Sequence, residues 1–73
     1  MRKYTTKSGV QQFKPSFRWI ESATAGDNNE GFCLACGNTE DGVEPDARKY
    51  PCHSCGAHKV YGAEELGLMG LFH

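Results

Sequence analysis

Four cysteines are the residues of this 73-residue chain whose types and spacing most clearly allow chemistry. They form two Cys-x-x-Cys-Gly sequences, Cys33 with Cys36 and Cys52 with Cys55, separated by fifteen residues. Two such pairs at this separation are typical of a tetrahedral site in which four thiolates bind one Zn²⁺ ion. Four protein ligands leave no open position for water or substrate, so the sequence predicts a structural rather than a catalytic zinc ion.

The residues next to the cysteines support a metal site. Gly37 and Gly56 follow the two pairs, and glycine adopts positive φ without a steric clash, so the chain can turn around the ion there. Four thiolates on a divalent cation leave two negative charges. Nearby cations should offset this charge, and Arg48, Lys49 and Lys59, which flank the second pair in the sequence, could do so.

Other uses of the cysteines compete with zinc. They could form two disulfides in any of three pairings, or redox pairs. A tetrahedral site of four sulfurs also suits iron, and rubredoxins carry similar Cys-x-x-Cys-Gly sequences at a longer separation, so iron is the alternative metal. His53 or His58 could replace one cysteine as a ligand, although four cysteines already complete the site.

The length of the chain makes the metal important for folding. In a domain below about 70–80 residues, the hydrophobic core rarely contributes more than roughly 3–5 kcal/mol. A structural zinc site contributes an apparent ~10–16 kcal/mol at neutral pH, much of it folding energy. We predict that the metal decides whether residues 30–62 fold.

The cysteine sequences resemble those of the zinc-ribbon superfamily. The segments 41–48 and 60–66 are similar to those of small zinc-ribbon proteins that bacteriophage genomes often encode. The resemblance covers roughly residues 32–68, about half the chain. It implies a zinc-ribbon fold, one zinc ion and a bacterial cytoplasm, and it implies no activity.

The predicted fold class is a small, metal-organised β-rich domain, a zinc ribbon, with a short N-terminal helix and a short C-terminal helix. Phe13, Phe17 and Ile20 recur at helical spacing, with Ser16 as the N-cap and Gly26 as the end; a strand over 17–20 is the rival. A second helix is predicted to start within 62–66. Loops or turns are predicted at 27–31 and 38–42. One strand is predicted to end at Phe32, and another to cover 60–61. Residues 43–47 form at most an edge strand because of Pro45, and residues 48–51 should be extended.

Charge divides the chain into two parts. Residues 1–20 contain five cations and no acid, whereas residues 21–73 contain nine acids and three cations, for a total of −1. The predicted organisation is a basic N-terminal arm with a short helix over 1–26, of which residues 1–12 are mobile, and a zinc ribbon with an apolar tail over 27–73. Phe17 and Trp19 are predicted to be buried.

The tail contains five large apolar residues, Leu66, Leu68, Met69, Leu71 and Phe72. We expect it to fold back over the ribbon. The alternative is an exposed apolar strip that pairs two chains into a homodimer.

The sequence predicts a non-enzymatic interaction module, since no carboxylate pair or nucleophile with its base is evident. It favours a protein partner, which would meet the acidic loop around Glu44 and Asp46. The alternative is DNA or RNA, bound by the basic aromatic arm. The cations of that arm are Arg2, Lys3, Lys7, Lys14 and Arg18. Pairing of Lys14 and Arg18 with acids of the ribbon would favour the protein partner; cations free of acids would favour nucleic acid.

The sequence also contains no apolar run typical of a signal peptide or a membrane span. A reducing cytoplasm is the predicted location, where thiolates remain free to bind metal.

Overall fold

The computed structural model describes residues 2–26 and 29–73, which form six short strands and two helices. The chain is β-rich, and all strand pairs are antiparallel. In order, the elements are β1 (Arg2–Thr5), β2 (Gln11–Lys14), α1 (Phe17–Ala25), β3 (Gly31–Cys33), β4 (Thr39–Glu40), β5 (Tyr50–Pro51), β6 (His58–Gly62) and α2 (Ala63–Met69).

A four-stranded sheet in the order β4-β3-β6-β5 forms the centre of the molecule. Phe32 pairs with Tyr61, and Cys33 pairs with Val60. Because neighbouring residues of a strand point to opposite faces, the first pair belongs to one apolar cluster and the second pair to another. The first cluster contains Ile20, Phe32, Leu34, Tyr61 and Leu66, and the second contains Cys33, Val43, Ala47, Cys52 and Val60.

Both predicted helices are present, and their ends are where local signals place them. The Ser16 hydroxyl oxygen accepts a hydrogen bond from the Trp19 backbone N–H at 3.1 Å, which caps α1. At the other end, the Gly26 N–H donates to the Ser22 carbonyl. The rival prediction of a strand over 17–20 is therefore wrong. In α2, Glu64 and Glu65 lie in the first turn, where the helix dipole favours acids.

Residues 1–12 were predicted to be mobile, but β1 and β2 form a β-hairpin with four residue pairs. Side-chain contacts also connect the two strands. Tyr4 donates a hydrogen bond to Gln12 Oε1 at 2.7 Å. The Lys3 and Lys14 ammonium groups lie 5.6 Å and 5.3 Å from the ring centres of Phe13 and Tyr4. These contacts join residues ten or so positions apart, so no local pattern predicts them.

Between the two cysteine pairs the observed elements differ from prediction in detail. The predicted turn at 38–42 contains β4, and 43–47 forms no strand. Strand β5 lies inside the predicted extended segment, and β3 and β6 contain the other two predicted strands. The loop predicted at 27–31 lies partly outside the described residues, and its last residue, Gly31, begins β3.

The tail folds back, as predicted. Leu71 and Phe72 pack against the first apolar cluster, and the His73 N–H donates to the Pro15 carbonyl at 3.0 Å. Two residues of α2, Leu68 and Met69, are nevertheless 79% and 44% exposed.

The two aromatic residues predicted to be buried differ from each other. Trp19 is half-buried, with its ring 5.7 Å from that of Phe32 in an edge-to-face contact. Phe17 is 49% exposed, so its predicted burial is wrong. Its ring contacts Phe72 of the tail, 5.2 Å away, at the surface.

Candidate metal centre

The four cysteine sulfurs converge on one point. All four Sγ atoms lie within 4.8 Å of one another. The Cys33–Cys55 and Cys36–Cys52 sulfur separations are both 3.7 Å. A regular tetrahedron with metal–sulfur bonds of about 2.3 Å has edges of about 3.8 Å. The sulfurs therefore stand at the separation that a tetrahedral zinc ion requires, and the site can hold one metal ion.

The two turns that carry the cysteines repeat the same backbone hydrogen bonds. In the first turn, the Cys33 N–H donates to the Asn38 carbonyl, and the Gly37 N–H donates to the Cys33 carbonyl. In the second, Cys52 and Gly56 make the equivalent bonds, to the carbonyls of Ala57 and Cys52.

Positive φ at the glycines closes both turns. Gly37 has φ of 80° and Gly56 has φ of 76°, a region that side chains with a Cβ rarely adopt. The glycine positions predicted from the sequence are thus confirmed. Each glycine directs its turn back so that the two sulfurs of its pair lie on the same side.

Burial and hydrogen bonding have opposite effects on the thiols. Burial raises the pKa of Cys33 to about 12 and also raises the pKa of Cys36. Hydrogen bonds from the backbone N–H groups of Cys55 and Ser54 lower the pKa of Cys52 to about 7. A metal ion must therefore displace protons from two thiols of the first turn, whereas the thiolate of Cys52 is already accessible near neutral pH.

Two of the alternatives, disulfides and histidine ligands, do not appear in this geometry. All four cysteines are free rather than joined in disulfides. Neither His53 nor His58 belongs to the ligand group. The His53 imidazole is 89% exposed, and its Nδ1 lies 3.0 Å from Glu40 Oε1.

Two contacts that the sequence did not predict join the cysteine turns. The His53–Glu40 pair connects the second turn to β4. The Asn38 side-chain N–H donates to the Ser54 hydroxyl at 3.0 Å and so bridges the first turn to the second. Both contacts depend on the approach of segments about fifteen residues apart, which the spacing of the cysteines alone does not specify.

Arg48, one of the three cations that could offset the charge of the thiolates, is paired with a carboxylate instead. Its guanidinium binds Glu65 Oε1 through Nη2 at 2.6 Å and Nε at 2.7 Å. Glu65 lies in α2, and its side chain is only 6% exposed. Arg48 thus compensates a buried carboxylate, not the thiolates.

The basic residues of the predicted arm lie on the hairpin and on α1. Lys3 and Lys14 contact aromatic rings of the hairpin, Lys7 lies in its turn, and Arg18 is exposed on α1. In the described ranges 2–26 and 29–73, none of these four side chains forms a salt bridge with a carboxylate. The side chain of Arg2 lies outside the described part of the structure.

The two acids predicted to bind a partner remain exposed. Glu44 and Asp46 lie in the loop between β4 and β5, and no side-chain ion pair of the described structure includes them. The structure therefore does not bring them together with the cations of the hairpin in a common ion-pair network.

None of the protein-family models, curated proteins or solved structures compared with this chain matches it. The resemblance to zinc ribbons therefore depends on the cysteine sequences and on the segments 41–48 and 60–66.

Neither helix in the described part of the chain is both long enough and apolar enough to span a bilayer.

Proposed function

We propose that this protein is a small zinc ribbon in which one Zn²⁺ ion, bound by Cys33, Cys36, Cys52 and Cys55, has a structural role. The repeated hydrogen bonds of the two cysteine turns and the 3.7 Å sulfur separations support this assignment. The ion supplies cross-linking rather than chemistry, because four thiolates complete its coordination. An origin in a bacteriophage and a location in a reducing bacterial cytoplasm belong to the same proposal and derive from the sequence resemblance.

Elemental analysis of the purified protein tests the metal. The expected result is one zinc per chain and no visible absorption. If the protein instead contained one iron per chain and showed the absorption of an iron–thiolate centre, the metal in this site would be iron.

We further propose that the module is not an enzyme and that it binds nucleic acid through the hairpin and α1. This proposal is supported by basic side chains that form no salt bridge in the described structure. Lys3, Lys7, Lys14 and Arg18 have no carboxylate partner in the described structure, and two of them lie over aromatic rings. The sequence favoured a protein partner, but cations free of acids were the criterion for nucleic acid. Phosphates are the natural partners of such a set.

A salt-dependent titration tests this proposal. The zinc-loaded protein is titrated with labelled single- and double-stranded oligonucleotides at two salt concentrations. The logarithm of the binding constant should fall linearly with the logarithm of the salt concentration, with a slope of roughly 0.7–0.9 for each phosphate contact. Replacing Lys3, Lys7 and Arg18 by glutamine should reduce that slope by about 2.

The matched control replaces Lys49 and Lys59, two cations outside the hairpin and α1, by glutamine. This variant should bind almost as tightly as the parent, apart from a small loss of long-range attraction. Equal losses in both variants would show only a response to net charge, and no binding at low salt would exclude a nucleic-acid function.

A protein partner is the second candidate, and a specific observation favours it. Leu68 and Met69 of α2 are 79% and 44% exposed, and Phe17, 49% exposed, contacts Phe72 of the tail that follows α2. Exposed apolar patches often mark contact surfaces. A second copy of the chain is the simplest such partner. Sedimentation equilibrium tests it: a dimer that Leu68→Gln converts to a monomer would support this surface, and a monomeric parent would exclude self-association.

A further inference from the structure

The groove between α1 and the first cysteine turn contains part of the only tryptophan of the chain. We propose that this groove, here called the tryptophan groove, binds one unstacked base of a single-stranded nucleic acid. The inference rests on the proposed nucleic-acid function and names the form of nucleic acid that the module selects. The groove is lined by Pro15, Ser16, Trp19, Phe32, Gly37 and Thr39.

The floor and wall of the groove are aromatic. Phe32 is buried in the first apolar cluster, and the ring of Trp19 contacts it edge to face at 5.7 Å. Trp19 is only half-buried, so part of the indole remains in contact with solvent in the groove. A planar base can stack on such a surface, and stacking does not require a particular base.

The charges of neighbouring residues favour a phosphate-bearing ligand over an uncharged apolar one. Lys14 directly precedes Pro15, and Arg18 directly precedes Trp19; neither forms a salt bridge in the described structure. Both cations precede Trp19 in the sequence, and the Lys14 ammonium lies 5.3 Å from the ring centre of Tyr4 in the hairpin. Cations beside an exposed aromatic ring are the combination by which single-stranded nucleic acids are bound without sequence preference.

Two carboxylates lie close to the groove in sequence. Glu40, next to Thr39, has one oxygen 3.0 Å from His53 Nδ1, and its other oxygen is buried without a hydrogen-bond partner in the described structure. Glu21 is two residues beyond Trp19, which places it about 200° around the helix from the indole. Glu40 is thus the one carboxylate that directly adjoins a lining residue in the sequence, against two adjoining cations, Lys14 and Arg18.

The base pairs of a duplex are stacked on each other and cannot enter the groove. The hairpin and α1 cations attract phosphates of either form, whereas the tryptophan groove accepts only a base that has left the stack. We therefore expect tighter binding of a single-stranded oligonucleotide than of a duplex at equal salt.

Tryptophan fluorescence provides a direct test, because Trp19 is the only tryptophan. The zinc-loaded protein is titrated with an oligo(dT) of about 12 nucleotides and with a duplex of similar length, while a labelled strand reports binding independently. The single strand should quench the Trp19 emission at the same concentrations at which it binds. Trp19→Leu should weaken single-strand binding about 10-fold or more, with a smaller effect on the duplex.

Tyr50→Leu is the control, since Tyr50 is an exposed aromatic residue of β5, outside the groove, the hairpin and α1. It should leave single-strand binding unchanged. Zinc content and circular dichroism confirm that each variant folds, and Trp19→Phe, which keeps a ring against Phe32, serves if Trp19→Leu does not fold; it should give an intermediate loss.

The outcomes separate this inference from the proposed function. Equal binding of both forms without a change in Trp19 emission would overturn the groove but leave the nucleic-acid function in place. No binding of either form would overturn both. A response of Trp19 to an uncharged apolar peptide, and none to oligo(dT), would also overturn the inference and assign the groove to a protein ligand.

Discussion

At the scale of single residues, the thiols of the first cysteine turn hold their protons more firmly than a free cysteine does. Burial raises the pKa of Cys33 to about 12 and raises that of Cys36. Only thiolates bind the metal, so protons and the metal compete for the same sulfurs. The site should therefore lose metal as the pH falls.

We predict that the apparent zinc affinity increases with pH by at least about 100-fold per pH unit between pH 7 and pH 8. Both Cys33 and Cys36 are protonated throughout this range before metal binds, so at least two protons leave for each ion bound. Competition with a chelating dye at several pH values measures the slope. A slope below two protons per ion would contradict this prediction.

Gly62 and Gly67 differ in the space that a Cβ atom would find at each position. A Cβ on Gly62, between β6 and α2, would overlap the carbonyl oxygens of Glu44 and Pro45. A Cβ on Gly67, inside α2, would stand 3.6 Å from Ile20 Cγ2, an ordinary contact. Gly62 is thus required by close approach of the backbone, whereas Gly67 weakens its helix.

We predict that Gly62→Ala lowers the free energy of unfolding by about 2–3 kcal/mol, since backbone atoms must move to admit the methyl group. Gly67→Ala should raise it by about 1 kcal/mol through higher helix propensity. Denaturant unfolding of the zinc-loaded proteins measures both. An unchanged or raised stability of Gly62→Ala would contradict the close approach at Gly62, and a lowered stability of Gly67→Ala would contradict the open space at Gly67.

At the scale of elements, α2 is anchored to the loop before β5 by one ion pair. The Arg48 guanidinium makes two short contacts with Glu65 Oε1, and the Glu65 N–H donates to the Pro45 carbonyl at 3.0 Å. Because Glu65 is buried, its carboxylate depends on Arg48 for compensation. The loop and the helix should therefore lose stability together.

We predict that Arg48→Ala destabilises the zinc-loaded protein by about 2–3 kcal/mol, because it leaves a buried carboxylate unpaired. Arg48→Leu combined with Glu65→Leu should cost less than either change alone, since no charge is then buried. Glu64→Gln, at the exposed neighbouring position, should change stability by no more than about 0.5 kcal/mol. Additive effects in the double variant, measured by denaturant unfolding, would show that the pair does not interact.

The N-terminal hairpin is attached to the rest of the molecule through Phe13. Its strands contribute few apolar side chains, but Phe13 packs against the first apolar cluster, and its N–H donates to the Leu34 carbonyl at 2.7 Å. The hairpin is therefore held against the first cysteine turn rather than free in solution. The division of the chain at residue 26 stays a prediction, although Ile20 of α1 shares a cluster with Phe32 and Leu66.

At the scale of the whole molecule, the metal site and both apolar clusters depend on the same two strands. Cys33 and Val60 belong to the cluster beside the metal, while Phe32 and Tyr61, one position away, belong to the cluster under the helices. Loss of the cysteine turns would thus disturb both faces of the sheet. A core this small cannot compensate for a metal site that contributes several times more free energy.

We predict that a strong chelator, or Cys36→Ser, abolishes cooperative unfolding of residues 30–62. Far-UV circular dichroism and thermal melting with and without added zinc measure the effect. His53→Gln and His58→Gln serve as controls, because neither histidine is in the ligand group; both variants should keep one zinc per chain. A native, cooperative melt of Cys36→Ser without zinc would show that the metal is dispensable for folding.

The sequence by itself determined the features that depend on a few neighbouring residues. These are the two cysteine turns with their positive-φ glycines, the cap of α1 at Ser16 and the acidic first turn of α2. Each signal acts within about five residues, so the chemistry of the residues specifies the local conformation whatever the rest of the chain does.

The tertiary structure alone decided which distant residues meet. It paired β1 with β2, directed Arg48 to Glu65 instead of the sulfurs, bridged the cysteine turns through Asn38 and Ser54, and left Trp19 half-exposed in a groove. Composition records how many cations and acids the chain contains, but their partners depend on strand register and on the close approach of segments far apart in sequence. For that reason the basic residues could be counted from the sequence, whereas their freedom from carboxylates appeared only in the fold.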